Sequence, residues 1–334
     1  MKLLPPRASP TARALLPCLK GCLAAEASPE KIEPKHNRAK GKKEGVVVIM
    51  GATGTGKSKL SIDIAERFMA EVVNADKIQV YRGLDITTNK IPISERRGVP
   101  HRLLGEIDPA AGEVPAAGFR SLASAAVAEI CSRGRIPVVA GGSNSYIHAM
   151  MVDQYDPKED PFGRDRLPRH GRLRYQSCLI WVDVDSKVLA EHLDQRVDDM
   201  LGAGMLEELE SYFSDETSAE RHPGLGKAIG VPEFREYFLR KRNAAGYAEA
   251  VAAIKYNTRR LAEEQVHKIR RLKEMGWPLI RVDATATVEA RLSAGVPETT
   301  WARDVLGPSL LAVERFVAQQ SSMRRHLLPP ARHF

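Results

Sequence analysis

One stretch constrains the fold more than any other. Val46-Val47-Val48-Ile49-Met50 runs without a polar break into Gly51-Ala52-Thr53-Gly54-Thr55-Gly56-Lys57-Ser58. A short, Val-rich apolar run reads as a strand buried on both faces. The eight residues after it fit G-x-x-x-x-G-K-[ST], the phosphate-binding loop that joins such a strand to a helix. The residue types follow from the task. Glycines at 51, 54 and 56 let the backbone turn tightly and aim its N–H groups inward. The positive N-terminal end of the next helix reinforces the same field. Lys57 has the reach for a terminal phosphate, and the Ser58 hydroxyl can hold Mg²⁺ beside it. A glycine turn before an ordinary helix is the plainer alternative. The flanks argue against it, because Leu60, Ile62, Ile64, Ala65 and Phe68 follow with mixed helical spacing. The motif does not choose between a nucleotide and another diphosphate.

The rest of the chain extends this unit. Val72 to Ala75 reads as a second strand, with Asp76 at its C-terminal end beside the phosphate loop. That edge is where ligands bind in open α/β sheets, although a turn cap is the competing role for Asp76. Lys77-Ile78-Gln79-Val80-Tyr81 leads into an Arg-rich loop. Phe119 to Cys131 is helical, and Ile136 to Ala140 is a third strand running into Gly141-Gly142-Ser143-Asn144-Ser145-Tyr146. Leu179 to Val184 is a fourth strand. Asp183 near its end is open to two readings, a second metal carboxylate or a strand-end turn residue. Ser186 to Met275 is mostly helical. Ile254, Leu261, Ile269 and Leu272 mark the apolar face of a long helix, and seven Lys and Arg residues between 255 and 273 crowd the rest, for the most part as a solvated face. Leu279 to Asp283 closes the sheet. The expected fold is α/β, a phosphate-loop NTPase-like parallel sheet covered by helices, with a mostly helical C-terminal part. The expected divisions are a leader over 1–45, the core over 46–185, a helical substrate-binding part over 186–320 and a flexible tail over 321–334.

Charge sharpens the picture. The net charge is +8, but residues 1–45 carry +6 and those after Glu314 carry +4, leaving the body at −2. The basic ends therefore do not make the body a polyanion binder. Residues 1–25 contain Lys2, Arg7, Arg13 and Lys20, no acid, and four prolines. That composition suits an organellar transit peptide, plastid before mitochondrion, with a disordered tail as the alternative. Cys18, Cys22, Cys131 and Cys178 make no zinc spacing, so reduced thiols are expected. No apolar run is long enough to span a membrane.

Five stretches, in order, give the chain a resemblance to the plant adenylate isopentenyltransferases. They are the phosphate loop, Asn74 to Tyr81, Gly141 to Ile147, Ile180 to Val184, and Lys227 to Glu233. The resemblance covers about Val46 to Phe316. It implies that the loop, Gly51 to Ser58, holds the diphosphate of dimethylallyl diphosphate or its hydroxylated analogue. An adenine nucleotide is then the acceptor, prenylated on N6 with Mg²⁺ as cofactor. Asp76 resembles the general base, Thr53 a contact near the breaking bond, and Lys57 a stabiliser of the departing charge. Arg196 and Lys227 would add positive charge, Ser143 and Asn144 would line the acceptor side, and Gln79 would bind substrate. A monomer without membrane or tRNA partners is expected.

Two positions depart from the family pattern. Gly226 and Glu264 stand where relatives usually carry Arg. Each change removes a possible phosphate partner and leaves AMP, ADP and ATP preference open. The rival readings are a tRNA dimethylallyltransferase, a small-molecule kinase, and a silent nucleotide-binding protein. The body's charge of −2 suits tRNA poorly.

Overall fold

The computed structural model describes residues 43–163, 172–214, 222–240 and 242–326. The expected leader lies outside them up to residue 42, and the expected tail does so from residue 327.

Six strands make one parallel sheet. They are β1 (Gly45–Gly51), β2 (Ala70–Asn74), β3 (His101–Arg102), β4 (Ile136–Gly141), β5 (Gln176–Asp183) and β6 (Leu279–Asp283). Their order is β3-β2-β4-β1-β5-β6. The two-residue β3, beside Val72 and Val73, was not visible in the hydrophobic pattern. β1 is central and apolar on both faces because both faces are covered. Val46, Val48 and Met50 pack with Phe119, Val127 and Ile147. Val47 and Ile49 point the other way, against Leu60, Ile64 and Val305. Alternation puts successive side chains in opposite layers, so the run needs no polar member.

The helices follow from caps and buried stripes. α1 (Lys57–Phe68) leaves the phosphate loop, α2 (Ala116–Ser132) precedes β4, and α3 (Asn144–Met151) follows it. α4 (Ser186–Gly202) is capped by Asp185, whose carboxylate accepts from the Lys187 and Val188 amides. α5 (Met205–Phe213) and α6 (Val231–Leu239) lead to the long α7 (Ala244–Glu274), capped by Asn243. α8 (Thr285–Leu292) follows β6, and α9 (Gly307–His326) ends the described chain.

α7 corrects one expectation. Its buried stripe is Ala250, Ile254, Thr258, Ala262, Gln265, Ile269 and Leu272. Leu261 is 37% exposed instead. α9 corrects another, since it continues to His326 and the expected tail is helical at its start. β6 pairs with β5, so the chain on both sides of residue 185 builds the same sheet.

The topology fixes where a ligand can sit. From β1 the chain travels to β2 on one side, and from β4 it crosses β1 to β5 on the other. The C-terminal end of β1 is therefore a switch point, and the phosphate loop stands on it.

Candidate active site

Two compartments open at that edge. The first, about 610 Å³, is lined by the phosphate loop at Thr53, Gly54, Gly56, Lys57 and Ser58. The second, about 410 Å³, is lined by Ser143, Asn144, Lys227, Leu261, Glu264 and Lys268 among others. Thr53, Asp76, Gln79, Asn89, Gly142, Arg196 and Gln265 line both. These seven residues form the passage from one compartment to the other.

The phosphate loop is shaped by its own backbone. Gly54 and Gly56 have φ of +84° and +91°, which L side chains rarely adopt. Gly51, Ala52 and Thr55 do not face the first compartment. Ala52 and Thr55 are buried, and the Thr55 hydroxyl donates to the Ala52 carbonyl at 3.0 Å. Lys57 Nζ donates to the same carbonyl at 2.6 Å. Burial pushes the Lys57 ammonium down to about 8, against the pull of Asp76.

Asp76 has a divided carboxylate. Oδ1 accepts from the amides of Ile78 at 2.9 Å and Gln79 at 3.3 Å. Oδ2 has no hydrogen-bond partner among the described residues. The turn thus occupies one oxygen of this side chain and leaves the other available.

Arg196 comes from α4. Its Nη2 donates to the Thr53 hydroxyl at 2.9 Å. Its buried Nε has no partner among the described residues. Burial lowers the guanidinium to about 10, again opposed by Asp76. Lys57 in the first compartment and Arg196 in the passage both feel the Asp76 carboxylate, a field suited to an anion that carries more than one charge.

Gln79, Ser143, Asn144 and Lys227 all line the second compartment. Gln79 Nε2 donates to the carbonyls of Thr88 and Asn89 at 2.9 and 3.1 Å, which fixes the loop beyond it. Ser143 Oγ accepts from the Lys77 amide at 2.8 Å. Asn144 is buried, and its Nδ2 donates to the Gln265 carbonyl at 3.0 Å. Its Oδ1 has no partner among the described residues. Lys227 is paired with Glu113, which also binds Lys77 at 2.5 Å.

Asp183 is not a metal ligand here. Arg281 Nε donates to its Oδ2 at 2.7 Å, and it lines neither compartment. Among the described residues no group of three His, Cys, Asp or Glu could cage an ion. The donor that is present, the exposed Ser58 hydroxyl in the first compartment, suits Mg²⁺, which keeps several waters and leans on substrate phosphates.

The long-helix cations divide as expected. Lys255 pairs with Asp198, Arg259 with Asp194, and Arg260 with Glu264. Lys268 lines the second compartment.

Sequence reasoning missed three contributors. Gln265 Oε1 accepts from the Thr53 amide at 2.7 Å, and a Cβ on Gly142 would stand 2.4 Å from Gln265 Nε2. Its signal was available: Gln265 and Thr258 are the polar members of the buried stripe of α7. His192 lines the first compartment, held neutral because burial, with Arg196 nearby, lowers it to about 4. Arg291, from α8, reaches the first compartment as well, and nothing local in the sequence announced it.

The comparisons with known proteins agree with one another. Residues 79–172 and 155–272 match the family model described as IPP transferase. The chain is similar to adenylate isopentenyltransferase 1 of Arabidopsis thaliana, described as chloroplastic. Identity is 48% over 307 residues, covering 86% of this chain and 85% of the relative. It is 50% identical over 295 residues to an adenylate isopentenyltransferase of Humulus lupulus, covering 80% of this chain and 89% of that one. Among solved structures it is similar to a eukaryotic dimethylallyltransferase acting on tRNA, with a TM-score of 0.69 and 25% identity, covering 83% of this chain and 80% of that one.

Proposed function

The chain belongs to the IPP transferase family, among the adenylate isopentenyltransferases, and from that premise we propose how it joins a dimethylallyl group to an adenine nucleotide, the reaction that opens cytokinin synthesis. The donor is dimethylallyl diphosphate, bound in the first compartment. The acceptor is free AMP, ADP or ATP, bound in the second, with adenine N6 turned toward the passage. The observation that carries this reading is the meeting of the two compartments at Asp76, Thr53 and Arg196.

The chemistry is a displacement at the prenyl C1. The N6 nitrogen forms the new C–N bond while the C1–O bond to diphosphate breaks. The N6 lone pair is delocalised into the ring, so the nitrogen attacks well only as its proton leaves. Asp76 Oδ2 takes that proton, while Oδ1 stays tied to the Ile78 and Gln79 amides. Negative charge grows on the bridging oxygen. The Thr53 hydroxyl, held by Arg196, donates there, and the loop N–H groups and Lys57 stabilise the departing diphosphate. Ser58 would hold Mg²⁺ beside the diphosphate, and the ion would supply further charge neutralisation. Gln265 holds the Thr53 amide, which keeps the loop from turning that residue away.

Lys227 and Lys268 serve the acceptor's phosphates, with Glu113 holding Lys227 until the nucleotide arrives. Glu264 lines the same compartment and repels a long phosphate tail, so the shorter nucleotides are favoured. The working unit we propose is a monomer. A plastid location is supported by the acid-free first 25 residues and by the chloroplastic description of the Arabidopsis relative.

One experiment tests the activity. Protein lacking residues 1–42 is incubated with Mg²⁺, dimethylallyl diphosphate and AMP, ADP or ATP in separate reactions, with an anticodon-loop RNA alongside. Mass analysis should find an N6-prenylated nucleotide. A phosphorylated product would move the assignment to a kinase, and a prenylated RNA to the tRNA enzymes. N-terminal sequencing of protein from its native cells tests the leader, and an intact Met1 without organelle enrichment would reject it.

A further inference from the structure

The phosphate loop is braced from a part of the chain far beyond it. A Cβ on Gly56 would stand 2.8 Å from Cζ3 and 3.0 Å from Cη2 of Trp301. The indole therefore occupies the space that any side chain at position 56 would need. Trp301 is 4% exposed. It begins a π-helical stretch, Trp301–Leu306, in which Val305 is buried in the same core layer as Leu60 and Ile64 of α1. π-Helical turns are rare and recur at functional positions. The match to the family model ends at residue 272, before this stretch.

The indole also works through hydrogen bonds and charge. Its Nε1 donates to Asp63 Oδ2 at 2.9 Å, a bond between α1 and a residue 238 positions later. The same oxygen accepts from Lys59 at 3.2 Å. Asp63 Oδ1 accepts from Arg97. Lys59 Nζ lies 5.0 Å from the centroid of the Trp301 ring, within reach of a cation–π contact. Lys59 and Arg97 line the first compartment, whereas Trp301 and Asp63 do not. The pair thus stands behind the groups that face the ligand.

We propose that Trp301 is a positioning residue for the phosphate loop. It holds Gly56 in its left-handed conformation and, through Asp63, holds Lys59 and Arg97 at the mouth of the donor compartment. The acceptor compartment shares none of these contacts, so the effect falls on the diphosphate side. This inference rests on the reading that the loop binds a diphosphate.

The test uses the full chain with Trp301→Leu and Trp301→Phe. The Phe variant keeps a ring over Gly56 and loses the Nε1–H. Calorimetric binding of inorganic diphosphate with Mg²⁺ is measured beside KM for both substrates and a melting curve. Trp301→Leu should weaken diphosphate about tenfold and raise KM for dimethylallyl diphosphate equally, with nucleotide KM within about twofold of wild type. Trp301→Phe should lose about threefold and decides the matter if the Leu variant does not fold. The emission difference between wild type and Trp301→Phe should change when diphosphate binds. A lowered Tm with wild-type diphosphate affinity in both folded variants overturns the proposal. Weakened diphosphate binding in a protein whose wild type makes no prenylated product leaves the proposal standing and removes only the assigned reaction. Wild-type protein that binds no diphosphate overturns both.

Discussion

Arg196 Nη2 donates to the Thr53 hydroxyl at 2.9 Å across 143 residues of sequence. This bond ties α4 to the phosphate loop at the passage between the two compartments. An arginine can hold Thr53 with one nitrogen and offer a ligand oxygen its buried Nε, which has no partner among the described residues. Lysine cannot do both. Arg196→Lys should therefore lower kcat/KM by about 10²-fold, in the range seen on removing one donor to a developing oxyanion. Thr53→Val removes the accepting oxygen at nearly constant volume. In the double variant the losses should fall well short of additive, because each single change already breaks the same bond. Fully additive losses would show that the bond is structural only.

Lys57 gives the site a pH signature. Its ammonium is pushed down to about 8 by burial. As pH rises through that value, the free protein loses a positive charge that the diphosphate needs. Bound diphosphate raises the lysine again, so binding above pH 8 must take up a proton. Calorimetry at pH 8.5 in two buffers of different ionisation enthalpy should show that uptake, and at pH 7 it should nearly vanish. Diphosphate affinity should fall as pH goes from 7 to 9. Absence of uptake at pH 8.5 would place Lys57 in the ordinary lysine range.

Much of this was legible before the fold was known, for reasons that particular residues make plain. The phosphate loop is local: a strand, a turn and a helix start within fifteen residues, so Gly51 to Ser58 could be read without tertiary information. Asp76 was legible because a strand end locates its residue relative to the switch point. Ser143 and Asn144 were singled out by the family resemblance, on a stretch that follows the glycine turn after β4. Trp301 was not legible, since its importance lies in contacts with Gly56 and Asp63 more than 200 residues away in sequence, and Arg291 was not, since no local pattern marks it as lining the first compartment. Leu261 was misread for a related reason. It stands at helical spacing with the buried stripe of α7, but that part of the helix faces the second compartment rather than the core. Gln265 shows the intermediate case, in which a polar residue inside an apolar stripe marks a buried partner without saying which.

Gln265 is expected to matter twice. Its Oε1 accepts the Thr53 amide at 2.7 Å. Gln265→Ala leaves that amide without a partner, which costs about 1–3 kcal/mol. Tm should drop by about 2–4 °C for each kcal/mol. Gln265→Glu keeps the acceptor but brings a negative charge to the wall of the donor compartment. Its Tm should be close to wild type while KM for dimethylallyl diphosphate rises by about tenfold. Equal KM values for Gln and Glu at this position would show that the side chain has no view of the diphosphate.

Asp76 carries the central mechanistic claim, and its two oxygens allow the claim to be separated from stability. Asp76→Asn keeps an oxygen that can accept from Ile78 and Gln79, so the turn should hold and substrates should bind nearly as before. The amide cannot take a proton from N6. General-base contributions are about 10²- to 10⁴-fold, and the loss should appear in kcat and kcat/KM alike. Asp76→Ala removes both functions. It should show the same loss of turnover together with a lower Tm, because two amides of the 76–79 turn lose their acceptor. The contrast between the variants is the measurement: shared kinetics and different melting. Near wild-type kcat in well-folded Asp76→Asn would falsify the base assignment. The carboxylate would then be a turn cap alone, and the proton from N6 would have to leave by another route.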